Sequence, residues 1–357
     1  SHTGSPPSAL QAASTYVSAI ASAAMRVTTV FMASQAVSCR AMSDNAQKPV
    51  LIVCGPTASG KSALALVAAE AFGGVVINAD SMQVYRELRV LTARPSRDDE
   101  ARVTHRLYGI VSVRDVFSAG RWRALAVREI DTAHAAGQLP IVCGGTGFYL
   151  KALMEGLSPM PEIPEAVRRR VRDEAAALGA PATHAALARV DPETAAQIKP
   201  GDSQRVKRAL EVHEATGRPL AKWQAEARIA PDPAWSFGVV LLSPTREATN
   251  AAVDDRFRLM IEAGALDEIA SLDELDGDLP ALKAVGVPDL RRHLRGEIDL
   301  ETAVALAQTA TRQFAKRQTT WFKNQIIADI EIKTQYSESI CLETFSFIRE
   351  KMLTQSG

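Results

Sequence analysis

The chain is 357 residues long, with 46% apolar and 23% charged residues. This is the balance of a folded globular protein of about two domains, and it excludes a disordered or fibrous chain. Lys+Arg and Asp+Glu both number 41, so the net charge is zero and any nucleic-acid contact must rest on local basic patches. The four cysteines (Cys39, Cys54, Cys143, Cys341) form no C-x-x-C pair, which argues against a zinc ribbon or disulfide framework and for a reducing compartment. The body of the chain carries no apolar run of the ~18 residues that a membrane helix needs.

Residues 1–47 differ from the rest. Up to residue 43 there is no Asp or Glu, and the only Arg are Arg26 and Arg40. An acid-poor, Ser-rich composition is that of an organellar transit peptide. The competing reading is a cloning remnant or upstream sequence, with Met42 just ahead of the first strand. The expected location is cytoplasmic, or organellar if residues 1–43 are a genuine transit peptide.

A short apolar run over residues 49–54 predicts a buried strand. It is followed by Gly55, Pro56, Thr57, Ala58, Ser59, Gly60, Lys61 and Ser62, which match G-x-x-x-x-G-K-[ST], and then by a helical segment stopped at Gly73 and Gly74. Glycines let the backbone curl so that amide N–H groups point inward, and the helix N-terminus adds partial positive charge. Lys61 supplies a point charge, and the Ser62 hydroxyl can hold Mg²⁺. The segment is a cradle for a di- or triphosphate.

The next strand, residues 75–77, runs into Asn78, Ala79, Asp80 and Ser81, and a later one, residues 139–143, runs into Gly144, Gly145, Thr146 and Gly147. An NTP hydrolase normally places an Mg²⁺-holding Asp at the tip of such a later strand, and here there is none. In an open parallel sheet, strand C-termini face the ligand crevice, which sets Asp80 and Thr146 beside the phosphate site. Chemistry alone leaves Asp80 open as a metal ligand, a general base or a helix cap.

From Pro161 the composition becomes helical. Residues 167–178 carry Arg168, Arg169, Arg170 and Arg172. Asp202 caps a helix that contains Gln204, Arg205, Val206, Lys207 and Arg208 and ends at Gly217. Strand pattern returns at residues 237–242. Asp299 then caps a long helix to about Asn324, with Ala303, Ala307, Ala310, Phe314 and Trp321 expected on its packed face. Arg312, Lys316 and Lys323 lie on another face, with Arg317 beside them and no acid between Arg312 and Lys323. Like charges four apart cost a few tenths of a kcal/mol, which a phosphate backbone would offset; a merely solvated face is the alternative.

These segments together resemble the tRNA dimethylallyltransferases. The likeness rests on GPTASGKS (residues 55–62), DSMQVY (80–85), TARP (92–95), GGTGFYLKAL (144–153), DPETAAQIKPGDSQRVKRALEVHEAT (191–216), RFRLM (256–260) and TRQFAKRQTTWFK (311–323). They run in family order over about residues 48–325.

The resemblance implies an α/β fold with a P-loop NTPase-like parallel sheet core (residues 48–160 and 235–325) and a helical tRNA-binding insertion (161–234); residues 326–357 stay unassigned. It implies transfer of a dimethylallyl group from dimethylallyl diphosphate to N6 of the adenosine 3′ to the anticodon, so the cradle would hold a diphosphate leaving group. Asp80 would be the general base. Thr57, Lys61 and Ser62, with Mg²⁺ as cofactor, would grip the diphosphate, and Arg256 would be a second clamp. The implied tRNA contacts are Asp80, Ser81, Met82, Gln83, Thr146, Arg168, Gln204, Arg205, Val206, Lys207, Arg208, Lys283, Lys316, Arg317, Gln318 and Lys323. The partners implied are the tRNA anticodon stem-loop and dimethylallyl diphosphate, with no membrane and a monomeric state.

Two departures from the family pattern stand out. Val287-Pro288 replaces a Tyr-Arg pair, and Arg94 replaces a Lys. The alternatives are an adenylate dimethylallyltransferase acting on free AMP, ADP or ATP, a small-molecule kinase, and a non-catalytic RNA-binding module. The insertion and the basic helix favour tRNA over a free nucleotide.

Overall fold

The structure is a computed structural model in which residues 47–275 and 279–353 are described; the reading of residues 1–43 lies outside them. The chain divides into two compact units, residues 154–231 and the remainder.

The larger unit is built on a six-stranded, all-parallel sheet in the order β3-β2-β4-β1-β5-β6. The strands are β1 (Lys48–Cys54), β2 (Gly74–Asn78), β3 (His105–Arg106), β4 (Leu139–Gly144), β5 (Trp235–Leu242) and β6 (Ile330–Ile332). β1 pairs on one side with β4 (Val53 opposite Cys143) and on the other with β5 (Ile52 opposite Val239). Its residues Val50 to Cys54 are fully buried, because helices cover both faces of a parallel sheet and its strands become continuous apolar runs. The order places β2, β4 and β1 side by side, so their C-terminal ends form one rim.

Three helices matter for the site: α1 (Lys61–Phe72), α10 (Arg246–Glu262) and α13 (Leu300–Gln325). Asp299 caps α13 as expected, accepting the Thr302 N–H at 2.7 Å. Its buried stripe, however, is Ala303, Ala307, Thr311, Ala315, Gln318 and Phe322, while Ala310, Phe314 and Trp321 are only half-buried. Counting apolar residues alone shifted the face. Two polar residues lie inside it because each has an internal hydrogen-bond partner: Thr311 donates to the Ala307 carbonyl, and Gln318 bonds within the site described below.

The tail after Gln325, unassigned from sequence, belongs to the sheet unit. β6 adds to β5 (Val240 opposite Ile330), and α14 (Ser339–Phe347) follows. Ile340, Cys341, Phe345, Ile348 and Met352 are buried in one cluster with Val53, Val240 and Leu242. A three-residue strand is too short for period-two patterning to reveal it.

The smaller unit holds α5 (Glu165–Leu178), α6 (Ala180–Val190), α7 (Pro192–Gln197), α8 (Ser203–Thr216) and α9 (Leu220–Gln224). Ile163, Leu187, Val206, Ala209, Val212 and Leu220 form its core. Asp191 is fully buried and accepts the Thr194 N–H at 3.0 Å and the Leu220 N–H at 3.1 Å, tying the turn before α7 to the start of α9. The unit begins before the composition shift at Pro161, because Leu157 bridges Ile229 and closes its base.

Candidate active site

The cradle leaves the end of β1 and enters α1, as the sequence predicts. Gly60 precedes α1 with φ +86°, and the first-turn amides of a helix have no carbonyl partner within it, so they are available to an anion. Lys61 Nζ donates to the Pro56 carbonyl at 3.2 Å, folding its ammonium back over the loop. Burial pushes the Lys61 ammonium below its ordinary value; Cys143 and Asp80 oppose that shift, and Arg256 adds to it. A partly desolvated cation of this kind gains most when a polyanion arrives.

Arg256 projects from α10 and donates from Nη2 to Thr57 Oγ1 at 2.5 Å. Burial lowers its pKa too, and the neighbouring Asp80 raises it. Lys61 and Arg256 thus sit within electrostatic reach of each other and of the Asp80 carboxylate.

Asp80 lies on the turn that follows β2. Its Oδ1 accepts the Met82 N–H at 2.9 Å. Fully buried Asn78 shapes the turn: its Oδ1 accepts the Asp80 N–H at 2.8 Å, and its Nδ2 donates to the carbonyls of Asp80 (3.0 Å) and Leu107 (3.1 Å). Trp122 Nε1 in turn donates to the Asn78 carbonyl at 2.7 Å. No residue type or spacing marked Asn78 in advance; a short amide between a buried strand and an acidic turn was the available signal.

The turn is joined to the cradle by a continuous set of bonds. Ser81 N–H donates to Thr146 Oγ1 at 2.9 Å, and Thr146 N–H donates to the Ala79 carbonyl at 3.1 Å. A Cβ at Gly144 would lie 2.2 Å from the Ala79 carbonyl carbon, so only glycine lets the two strand ends meet. Gln318, 6% exposed, completes the link. Its Oε1 accepts the Thr57 N–H at 2.8 Å, and its Nε2 donates to the Gly145 carbonyl at 2.8 Å. Gln318 is also one of the expected tRNA contacts; in the protein alone both ends of its amide are engaged internally, and it faces the cradle.

The chain resembles known proteins along most of its length. Residues 83–325 match the family model for IPP transferase. The chain belongs to the IPP transferase family. A tRNA dimethylallyltransferase of Rhodospirillum centenum is 56% identical over 79% of this chain and 91% of the relative, and one of Parvibaculum lavamentivorans is 51% identical over 88% and 100%. Among solved structures, the full-length tRNA isopentenylpyrophosphate transferase of Bacillus halodurans aligns with TM-score 0.62 at 30% identity, over 87% of this chain and 98% of that one. A eukaryotic dimethylallyltransferase acting on tRNA aligns with TM-score 0.69 at 26% identity, over 84% and 78%. This IPP transferase has the α/β fold with a parallel sheet core expected of it, and the sheet has six strands among the described residues.

The other expected site residues of the transferase fall into three groups. Ser81, Met82, Gln83 and Thr146 are half-buried around the Asp80 turn. Gln83 Nε2 donates to the carbonyls of Thr92 (2.8 Å) and Ala93 (2.9 Å), which leaves its amide oxygen as the polar group available to a ligand. Lys316, Arg317 and Lys323 are exposed on α13, and Lys283 is exposed at the end of a short 3₁₀ turn.

The third group lies in the smaller unit, where Gln204 and Arg205 are exposed, Lys207, Arg208 and Arg168 are half-buried, and the side chain of Val206 is buried in that unit's core. Any ligand contact at Val206 runs through its backbone. Arg205 pairs with Asp202 at 3.3 Å and Arg208 with Glu211 at 3.4 Å. The basic face of α13 is also less free than its sequence indicates, since Arg312 is ion-paired with Asp254 of α10. At the two positions where the resemblance leads one to expect Tyr-Arg, Val287 is a fully buried core residue and Pro288 lies in the first turn of α12 (Val287–Leu294), where its fixed φ is suited to the helix. Among the described residues, no helix is long and apolar enough to cross a membrane.

Proposed function

We propose that this tRNA dimethylallyltransferase moves the dimethylallyl group of dimethylallyl diphosphate to N6 of the adenosine 3′ to the anticodon, with Asp80 as general base and the cradle as the seat of the leaving group. The observation that carries this reading is the short hydrogen-bonded path from Thr57 through Gln318, Gly145 and Thr146 to Ser81. A donor site and an acceptor site are braced against each other there, and the tip of β4 supplies no acid for nucleotide hydrolysis.

The chemistry needs a base because the N6 lone pair is delocalised into the adenine ring. As the C–N bond forms, the bond from the allylic carbon to diphosphate oxygen breaks, and the N6 proton passes to the Asp80 carboxylate. A positioned base contributes about 10²–10⁴ in rate. Negative charge grows on the departing diphosphate, and Lys61, Arg256 and the first-turn amides of α1 stabilise it without reorganising. Exclusion of water protects the allylic cation character from hydrolysis.

The donor set also suits Mg²⁺. Ser62 offers a hydroxyl at the start of α1, and magnesium is commonly completed by substrate phosphate oxygens rather than by an all-protein cage. Among the described residues, no group of three or more His, Cys, Asp or Glu forms such a cage. When bound there, the ion would neutralise diphosphate charge.

The target base must leave the anticodon stack to reach this site. Ser81, Gln83 and Thr146 would hold it, while Arg168, the residues from Gln204 to Arg208, Lys283, Lys316, Arg317 and Lys323 would take the phosphates. Members with no carboxylate partner among the described residues, such as Lys207 and Arg168, contribute most, since a cation already bridged to a carboxylate must first give up that partner. The test is transfer of labelled dimethylallyl from its diphosphate, with Mg²⁺, offered unmodified tRNA or AMP. Label on tRNA alone agrees with the proposal. Label on AMP would move the enzyme to the free-nucleotide class.

A further inference from the structure

The tail that follows β6 returns to the phosphate cradle and touches it from outside. Tyr336 N–H donates to the Ser59 carbonyl at 3.2 Å. Gln335 Nε2 donates to the Ala58 carbonyl at 3.2 Å and to the Ala248 carbonyl at 2.9 Å. A Cβ at Gly60 would lie 2.4 Å from Tyr336 Cβ, so the strap runs in direct contact with the loop backbone. Burial of Ile340, Cys341 and Phe345 anchors the strap beyond the contact, and β6 anchors it before.

We propose that Gln335 is a positioning residue for the diphosphate site: it fixes the outer lip of the cradle to α10, the helix that carries Arg256. The argument rests on the reading of the cradle as the diphosphate seat. Ala58 has φ +61°, a left-handed conformation that a non-glycine residue keeps only when its surroundings hold it. In a trans peptide the carbonyl and the next N–H point in opposite directions. Tying the Ser59 carbonyl from outside therefore turns the Gly60 N–H inward, toward the ligand. Tying the Ala58 carbonyl keeps the Ser59 N–H on its turn to the Pro56 carbonyl. Because the same Gln335 amide also holds Ala248, two turns before Arg256 in α10, the lip and the second cation keep one spacing. The bond from Arg256 to Thr57 spans the same gap from inside.

The test compares Gln335→Ala, Gln335→Lys and Gln335→Glu in the full chain, by KM for dimethylallyl diphosphate, kcat, tRNA Kd and thermal midpoint. Gln335→Ala should raise the KM about five- to tenfold, the size of one or two lost hydrogen bonds, with tRNA Kd and thermal midpoint nearly unchanged. Gln335→Lys retains donors and should restore most of the loss; Gln335→Glu faces two carbonyls without a donor and should not. An unchanged KM in both Gln335→Ala and Gln335→Glu overturns the proposal. Should Gln335→Ala fail to purify folded, the contrast between Lys and Glu carries the same decision. Arg256→Ala is measured in parallel. If it too leaves diphosphate use intact, the cradle reading itself has failed; if it impairs use while the Gln335 variants do not, only the strap has.

Discussion

Replacing Gln318 by Leu tests whether one buried amide holds the donor and acceptor sites together. The substitution removes the acceptor for Thr57 N–H and the donor to the Gly145 carbonyl, both at 2.8 Å in the folded protein. Each stranded backbone group in the interior costs about 1–3 kcal/mol, so about 2–6 kcal/mol is at stake. Part of it appears as lost stability and part as a site whose two halves no longer keep their spacing. If only about 3 kcal/mol reaches the transition state, turnover falls by about two orders of magnitude. The assay is single-turnover transfer with saturating tRNA and dimethylallyl diphosphate, alongside tRNA Kd. The expected result is a large loss in the chemical step with tRNA affinity within about twofold of the parent. A loss of tRNA affinity with normal single-turnover rate would refute the reasoning and return Gln318 to the RNA-contacting residues. Gln318→Glu sharpens the test, since it keeps the acceptor for Thr57 but sets an oxygen against the Gly145 carbonyl and a negative charge in a diphosphate site. It should be no better than Leu.

Asp80→Asn keeps the size and the bond to Met82 but removes the base; turnover should fall about 10²–10⁴-fold with tRNA still bound, and normal turnover in a quench-flow measurement would contradict the assignment. Arg256→Ala should weaken use of dimethylallyl diphosphate while tRNA affinity holds, read from the two dissociation constants. Selective loss of tRNA binding would count against the clamp. Phe345→Ala should lower stability by about 3–5 kcal/mol in denaturant unfolding, because the ring is buried in the sheet cluster and packs edge-on to Phe72 at 5.2 Å. A change below about 1 kcal/mol would mean that the tail does not belong to the core.

Much of this protein is local in origin, and the local part was legible. The run ahead of Gly55, the glycine spacing around Lys61, the Asp202 and Asp299 caps and the glycine stops at Gly73 and Gly217 all depend on residues within one or two turns of each other. The resemblance carried over the roles of Asp80 and Arg256, and the sheet order shows why Asp80 and the cradle, apart in sequence, converge: β2, β4 and β1 end on one rim. What sequence could not supply was the identity of the buried polar groups. The resemblance implies Gln318 as an RNA contact, and its place beside Lys316 and Arg317 on a basic helix gives no local sign that its amide is buried. Only folding brought the Thr57 N–H and the Gly145 carbonyl to its two ends. Asn78 went unmarked for the same reason, and the tail after Gln325 had no pattern until β5 supplied its partner strand. Periodicity encodes which side of an element is buried. The pairing of buried donors with buried acceptors is a long-range property that exists only once the chain is closed on itself.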